Sequence, residues 1–167
     1  MNIGVIIIEA LIMAMYFTIT VFDLTRKYKK HPAMIYNYPK DIQDEYFKTH
    51  EKVDVSFKSP KVFIIKILAM LVFALLLSAC AYIAGAKTFL DGFIVAFILM
   101  VWVGFYDTFF IDWVLFANLK FFRLEGTEHM DREYHQKWFH LKGMLFPGII
   151  FGTIPSLLVG LFIMIIK

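Results

Sequence analysis

The chain has 167 residues, is 60% hydrophobic and 18% aromatic, and has a mean hydropathy of +0.68, which is too apolar for a soluble domain of this size. A net charge of +3 excludes a strong nucleic-acid footprint. The single cysteine, Cys80, excludes an internal disulfide or a cysteine-based metal site.

The apolar residues come in long blocks, neither alternating nor amphipathic, so the expected class is all-α: a polytopic membrane protein. A bilayer core needs roughly 20 apolar residues as helix. Four blocks qualify, at about 3–22, 62–84, 93–117 and 144–166, within one membrane domain covering 1–167. Inside each block the backbone must satisfy its own hydrogen bonds, which requires helix. Two longer connections, 23–61 and 118–143, join them.

The first block carries Glu9 close to its start. Residues 1–8 lack a basic leader and no small-residue cleavage site follows, so this span is expected to persist in the mature protein. The connection after it is basic: Arg26, Lys27, Lys29, Lys30, Lys40, Lys48, Lys52, Lys58 and Lys61. Lys120, Arg123, Arg132, Lys137 and Lys142 mark the second long connection, whereas the short middle turn has only Lys87. Basic connections stay cytosolic. Both long connections are therefore expected in the cytosol and both termini outside, with a bacterial plasma membrane as the bilayer.

Within the first connection, 41–53 has helical spacing. Asp41 is the expected N-cap, and Ile42, Tyr46, Thr49 and Val53 fall on one face. This predicts an amphipathic helix on the cytosolic membrane surface. Ser59 and Pro60 suit the cap and first position of the second span. That span carries Lys66 about one turn from its start, within snorkelling reach of the interface.

The third span holds the unusual chemistry. Asp107 falls in the cytosolic half of the hydrocarbon, with Asp112 nearer the interface. On an α-helix, five residues turn through about 140°, so the two carboxylates are not expected to share a face. A lone Asp at mid-membrane costs about 2.5–3.5 kcal/mol even on insertion scales. Such a residue faces the bundle interior and has a partner or a job. Lys66 lies at similar depth, so a structural Asp107–Lys66 pair stands beside a functional ion or substrate site built from Asp107, Asp112 and Lys66.

The segment 127–143 reads as a second amphipathic cytosolic helix, capped by Thr127 and closed at Gly143, with Met130, Tyr134, Trp138 and Leu141 as its apolar stripe. Glu128, Asp131 and His135 cluster on a neighbouring face, and with His140 they form a candidate set for a divalent metal. The competing reading is a solvated helix face, with His129 and His140 interfacial. The fourth span repeats small residues every four positions, Gly148, Gly152, Ser156 and Gly160, which permits close helix approach within the chain or in a homodimer or larger membrane complex. Pro147 and Pro155 are expected to bend it.

The halves share a plan of span, connection, surface helix and return span. Some transporters are built from such parallel repeats. No nucleotide-binding, zinc-protease, nucleophile-elbow or paired-cysteine motif occurs. Three functional expectations follow. The first is ion- or proton-coupled transport through an intramembrane carboxylate open to the cytosol. The second is an enzyme or lipid-headgroup or metal binder at the cytosolic interface. The third is an accessory subunit of a membrane complex.

Overall fold

A computed structural model describes residues 1–28, 32–52 and 60–166. The described residues contain helices and no strand, in the order α1 (Ile3–Tyr28), α2 (Pro32–Ile35), α3 (Lys40–Tyr46), α4 (Pro60–Ile83), α5 (Phe89–Tyr106), α6 (Asp131–Tyr134), α7 (Lys137–Gly143) and α8 (Ile149–Ile166). Wider π-helical turns extend α5 through Asp107–Phe116 and join α7 to α8 through Met144–Gly148. Four helical stretches are long and apolar enough to cross a membrane: Ile3–Lys27, Phe63–Ile83, Phe89–Phe116 and Asp131–Ile166.

The ends of these helices follow local chemistry. Gly85 closes α4 at φ 85°, where a side chain would be strained. Its N–H reaches the Tyr82 carbonyl at 3.0 Å and the Ala86 N–H reaches Ala81 at 2.9 Å, the paired bonds of a Schellman stop. Three residues later α5 begins with a capping box. Thr88 Oγ1 accepts from the Asp91 N–H at 3.1 Å, and Asp91 Oδ2 accepts from the Thr88 N–H at 3.1 Å. The third candidate span therefore starts at Phe89, four residues before its hydropathy block, because the cap sets the helix start. Ser59, the expected cap of α4, lies outside the described residues, as does Val53 of the first amphipathic pattern.

α5 is the central helix and packs on α1, α4 and, most extensively, α8. The small-residue ladder serves that last contact. A Cβ on Gly152 would sit 3.3 Å from Met100 Cβ, and one on Gly160 would sit 2.8 Å from the Phe89 ring and carbonyl. Ser156 is fully buried and donates to the Gly152 carbonyl at 2.7 Å. Gly92 answers from α5, approaching Gly160 and Ile163. Of the uses expected for the ladder, within the chain or in a homodimer or larger complex, the structure shows the first from Gly152 to Gly160, against α5. Around these contacts Ile6, Ala84, Val95, Leu99, Val159 and Ile163 form one apolar core, which closes the bundle end opposite the long connections. The Asn2 N–H, bound to the Ala84 carbonyl at 2.7 Å, ties α1 into that end.

The other end is covered by the two long connections, and here both surface-helix expectations need correction. α3 is seven residues long and its N-cap position is held by Pro39; Asp41 lies in the first turn and accepts from Gln136 Nε2 at 2.8 Å. Ile42, Gln43 and Tyr46 are buried. The second segment is two short helices, broken at His135 and Gln136, not one. Thr127 caps nothing; its hydroxyl is buried between the Leu124 carbonyl at 2.9 Å and the Tyr134 hydroxyl at 2.7 Å. Tyr134 is fully buried while Trp138 is 73% exposed, so the expected stripe is not one face. Ile35, Tyr38, Ile42, Tyr46, Phe116, Phe122, Leu124 and Tyr134 instead form a second core. The aromatic residues of the connections found more partners in one another than helical periodicity alone could register.

Candidate functional site

The site begins with a change of helix pitch. From Asp107 to Phe116 the backbone winds as a π-helix, and the Ala117 N–H bonds to the Asp112 carbonyl, five residues back. In that winding a five-residue step is roughly one turn. Asp107 and Asp112 consequently point the same way and line the same cavity. This corrects the 140° separation expected for an α-helix. The second π turn, Met144–Gly148, faces it. Pro147 has no N–H to give the Gly143 carbonyl, and the wider turn carries the chain past that missing bond, with the Ile149 N–H returning to Met144.

Between α1 and α8 lies a cleft of about 950 Å³, with α5 and its π extension as the back wall. It reaches from Phe97, Met100 and Gly152 at mid-bundle to Tyr36 and Tyr38 beneath the second core. Most of the wall is aromatic or aliphatic, including Phe17, Phe116, Phe139 and Phe151. The ionisable groups along it are Asp107, Asp112, His140 and Lys142, with the phenols of Tyr36 and Tyr38 at the covered end.

Asp112 and His140 form a pair: Oδ2 lies 2.9 Å from Nδ1, with side chains 20% and 8% exposed. The Phe116 ring meets the imidazole edge-on at 5.2 Å. His140 Nε2 and the neighbouring Trp113 Nε1 are buried with no hydrogen-bond partner among the described residues. Asp107 differs. It is partly buried, and none of the described residues forms an ion pair with it. Lys66, grouped with it on depth alone, is exposed on α4 and does not line the cleft.

The four-residue metal set does not converge. Asp131 pairs with Arg123 at 2.6 Å, His135 Nδ1 donates to the Asp131 carbonyl at 2.7 Å, and Glu128 is exposed. His140 is with Asp112 instead. Among the described residues no three His, Cys, Asp or Glu side chains come together as a metal site. Gly148, the outermost rung of the ladder, lines the cleft.

Arg123 and Tyr38 were not recognised as site-forming residues from the sequence. Arg123 counted only as a topology charge, yet it is buried, donates to the Ala117 carbonyl at 2.7 Å and lies 3.9 Å over the Tyr134 ring. It fastens the end of the π segment to the cover. Tyr38 donates to the Phe122 carbonyl at 2.9 Å, and burial, reinforced by the charge of Tyr134, pushes its phenol above the usual range. The readable signal was the five-residue spacing of Asp107 and Asp112, which matches a π turn. No protein-family model, curated protein or solved structure matches the chain.

Proposed function

We propose that this protein is a small proton- or ion-coupled membrane carrier in which Asp107 is the coupling carboxylate. Asp112 and His140 relay protons between it and the cytosolic side. One observation carries the reading: Asp107, Asp112 and His140 line one cleft, which reaches the end covered by the long connections, while the opposite end is packed shut around Gly92 and Gly160. A coupled carrier exposes its carboxylate to one side at a time. The basic residues of the long connections support a cytosolic placement of that end. Proteoliposomes with an imposed pH gradient test the reading. Wild-type protein is expected to dissipate the gradient in the presence of substrate, and Asp107→Asn to be folded and inactive. Equal flux from both proteins would reject it.

A membrane enzyme acting on an amphiphile is the second reading, favoured by the 2.9 Å carboxylate–imidazole pair at the covered end of an apolar cleft. It separates from the first in the variant that matters. An enzyme loses turnover in His140→Gln and keeps it in Asp107→Asn, whereas a carrier loses coupling in Asp107→Asn.

A further inference from the structure

We infer that the cleft takes a lipophilic organic cation, a single positive charge enclosed by apolar groups, with Asp107 as its counter-ion. The inference rests on the carrier reading and names its substrate class.

Charge comes first. A carboxylate in an apolar wall must be protonated or matched by an opposite charge. Asp112 is already paired with His140 at 2.9 Å. Lys142 is exposed at the covered end of the cleft, beside the phenols of Tyr36 and Tyr38. No described residue forms an ion pair with Asp107. Asp107 is therefore the carboxylate of this wall that has no ion-pair partner among the described residues.

The walls then decide which cation. Inorganic cations such as calcium require about six to eight oxygen ligands in place of their water. Along with Asp107 the cleft is lined by Phe17, Phe97, Phe105, Met100 and Met144, and its hydroxyls are those of Thr25, Thr108, Tyr36 and Tyr38. Aromatic faces attract organic cations through their quadrupoles. Methionine side chains adapt to irregular apolar shapes. A volume of about 950 Å³ also fits a drug-sized organic molecule, not a bare ion. An anionic amphiphile would meet two carboxylates in the same wall. A neutral one would leave Asp107 without a role.

The exchange balances simply. Neutral Asp107 gives up its proton as the cation binds, and protonation releases the cation, so one proton exchanges for one charge.

Tetraphenylphosphonium and its isosteric anion tetraphenylborate test this on the purified full chain in detergent, by calorimetry in buffers of different ionisation enthalpy. The cation is expected to bind about tenfold or more tightly than the anion, more tightly as pH rises, and with release of about one proton. Asp107→Asn is expected to weaken it about tenfold or more and abolish proton release. Equal affinity for the anion, or pH-independent binding without proton release, overturns the inference using wild-type protein alone, whether or not the variant folds. Cation binding without flux in proteoliposomes keeps the ligand class and removes the carrier reading. Proton flux without cation binding does the reverse.

Discussion

Asp112 Oδ2 and His140 Nδ1 lie 2.9 Å apart, and this contact joins the π segment of the third candidate span to the short helix that leads into the fourth. Both side chains are largely buried, His140 8% and Asp112 20% exposed. The pair also fixes the rim of the cleft: Asp112 and His140 approach it from opposite walls, and Asp107 lies one wide turn farther in.

Removing either member leaves the other buried without its partner. Asp112→Asn and His140→Gln are each expected to lower stability, and the double variant to cost less than their sum, with a coupling of about 1–3 kcal/mol. Unfolding midpoints in mixed micelles for the two single variants and the double variant measure it. Strict additivity would show that the contact holds nothing together.

Asp107 makes the opposite prediction. It has no ion-pair partner among the described residues, so Asp107→Asn removes a carboxylate from an apolar wall without orphaning an ionic neighbour. Its stability is expected to match or exceed wild type, within about 1 kcal/mol. The same unfolding assay decides. A loss as large as that of Asp112→Asn would make Asp107 a structural residue and weaken its assignment as the coupling group.

The sequence made the four apolar helices legible because a bilayer-length apolar run has few alternative structures. It also marked Asp107 and Asp112, since an acid in such a run is costly wherever it points. Their relative direction was not legible. It depends on a π winding, and the α-helical rule of 100° per residue places them wrongly. The position of His140 was hidden for a different reason. Its approach to Asp112 depends on how the 118–143 connection folds back, a long-range event with no local period. The same holds for Arg123, whose charge read as topology but whose guanidinium lies over Tyr134. Depth alone suggested Lys66 as a partner for Asp107, but depth does not specify which side of a helix a residue occupies.

The glycine contacts that close the far end should be graded by their neighbours. A Cβ on Gly160 would meet the Phe89 backbone carbonyl at 2.8 Å, an atom that cannot swing away. Gly160→Ala is expected to cost about 1–3 kcal/mol through overpacking. Gly104, beside Asp107, has as its nearest neighbour Met144 Cγ at 3.5 Å, an ordinary contact. Gly104→Ala is expected to change stability by no more than about 0.5 kcal/mol, with some gain from better helix propensity. Equal melting temperatures for the two variants would mean that α5 and α8 do not approach as closely as Phe89 and Gly160 indicate.

Tyr38 gives the cover a signature at high pH. Burial first, and the charge of Tyr134 second, raise its phenol above the usual value near 10. In the unfolded chain the phenol ionises at that usual value, while in the folded chain it stays neutral and keeps donating to the Phe122 carbonyl. Its contribution is therefore complete below pH about 10 and declines as pH climbs from there towards the raised folded value. Tyr38→Phe is expected to flatten that alkaline decline while lowering stability at neutral pH. An unchanged alkaline slope in the variant would assign the decline to other groups.

Tyr134 is the residue on which the cover over the cleft depends most directly. Its hydroxyl accepts from the Leu124 N–H at 2.9 Å and shares a 2.7 Å hydrogen bond with Thr127, while Arg123 lies over its ring. Tyr134→Phe keeps the ring, and with it the Arg123 contact and the packing on Phe116 at 5.4 Å. It removes only the oxygen, leaving the buried Leu124 N–H without its acceptor. That costs about 1–3 kcal/mol. The loss should appear first as faster amide exchange at Leu124 and Thr127, before any change in the apolar core around Val95 and Val159. If the two regions lose protection together, the cover and the bundle unfold as one unit and the connections are integral to the membrane fold. If only the cover responds, it can loosen over Asp112 and His140 while the far end stays shut.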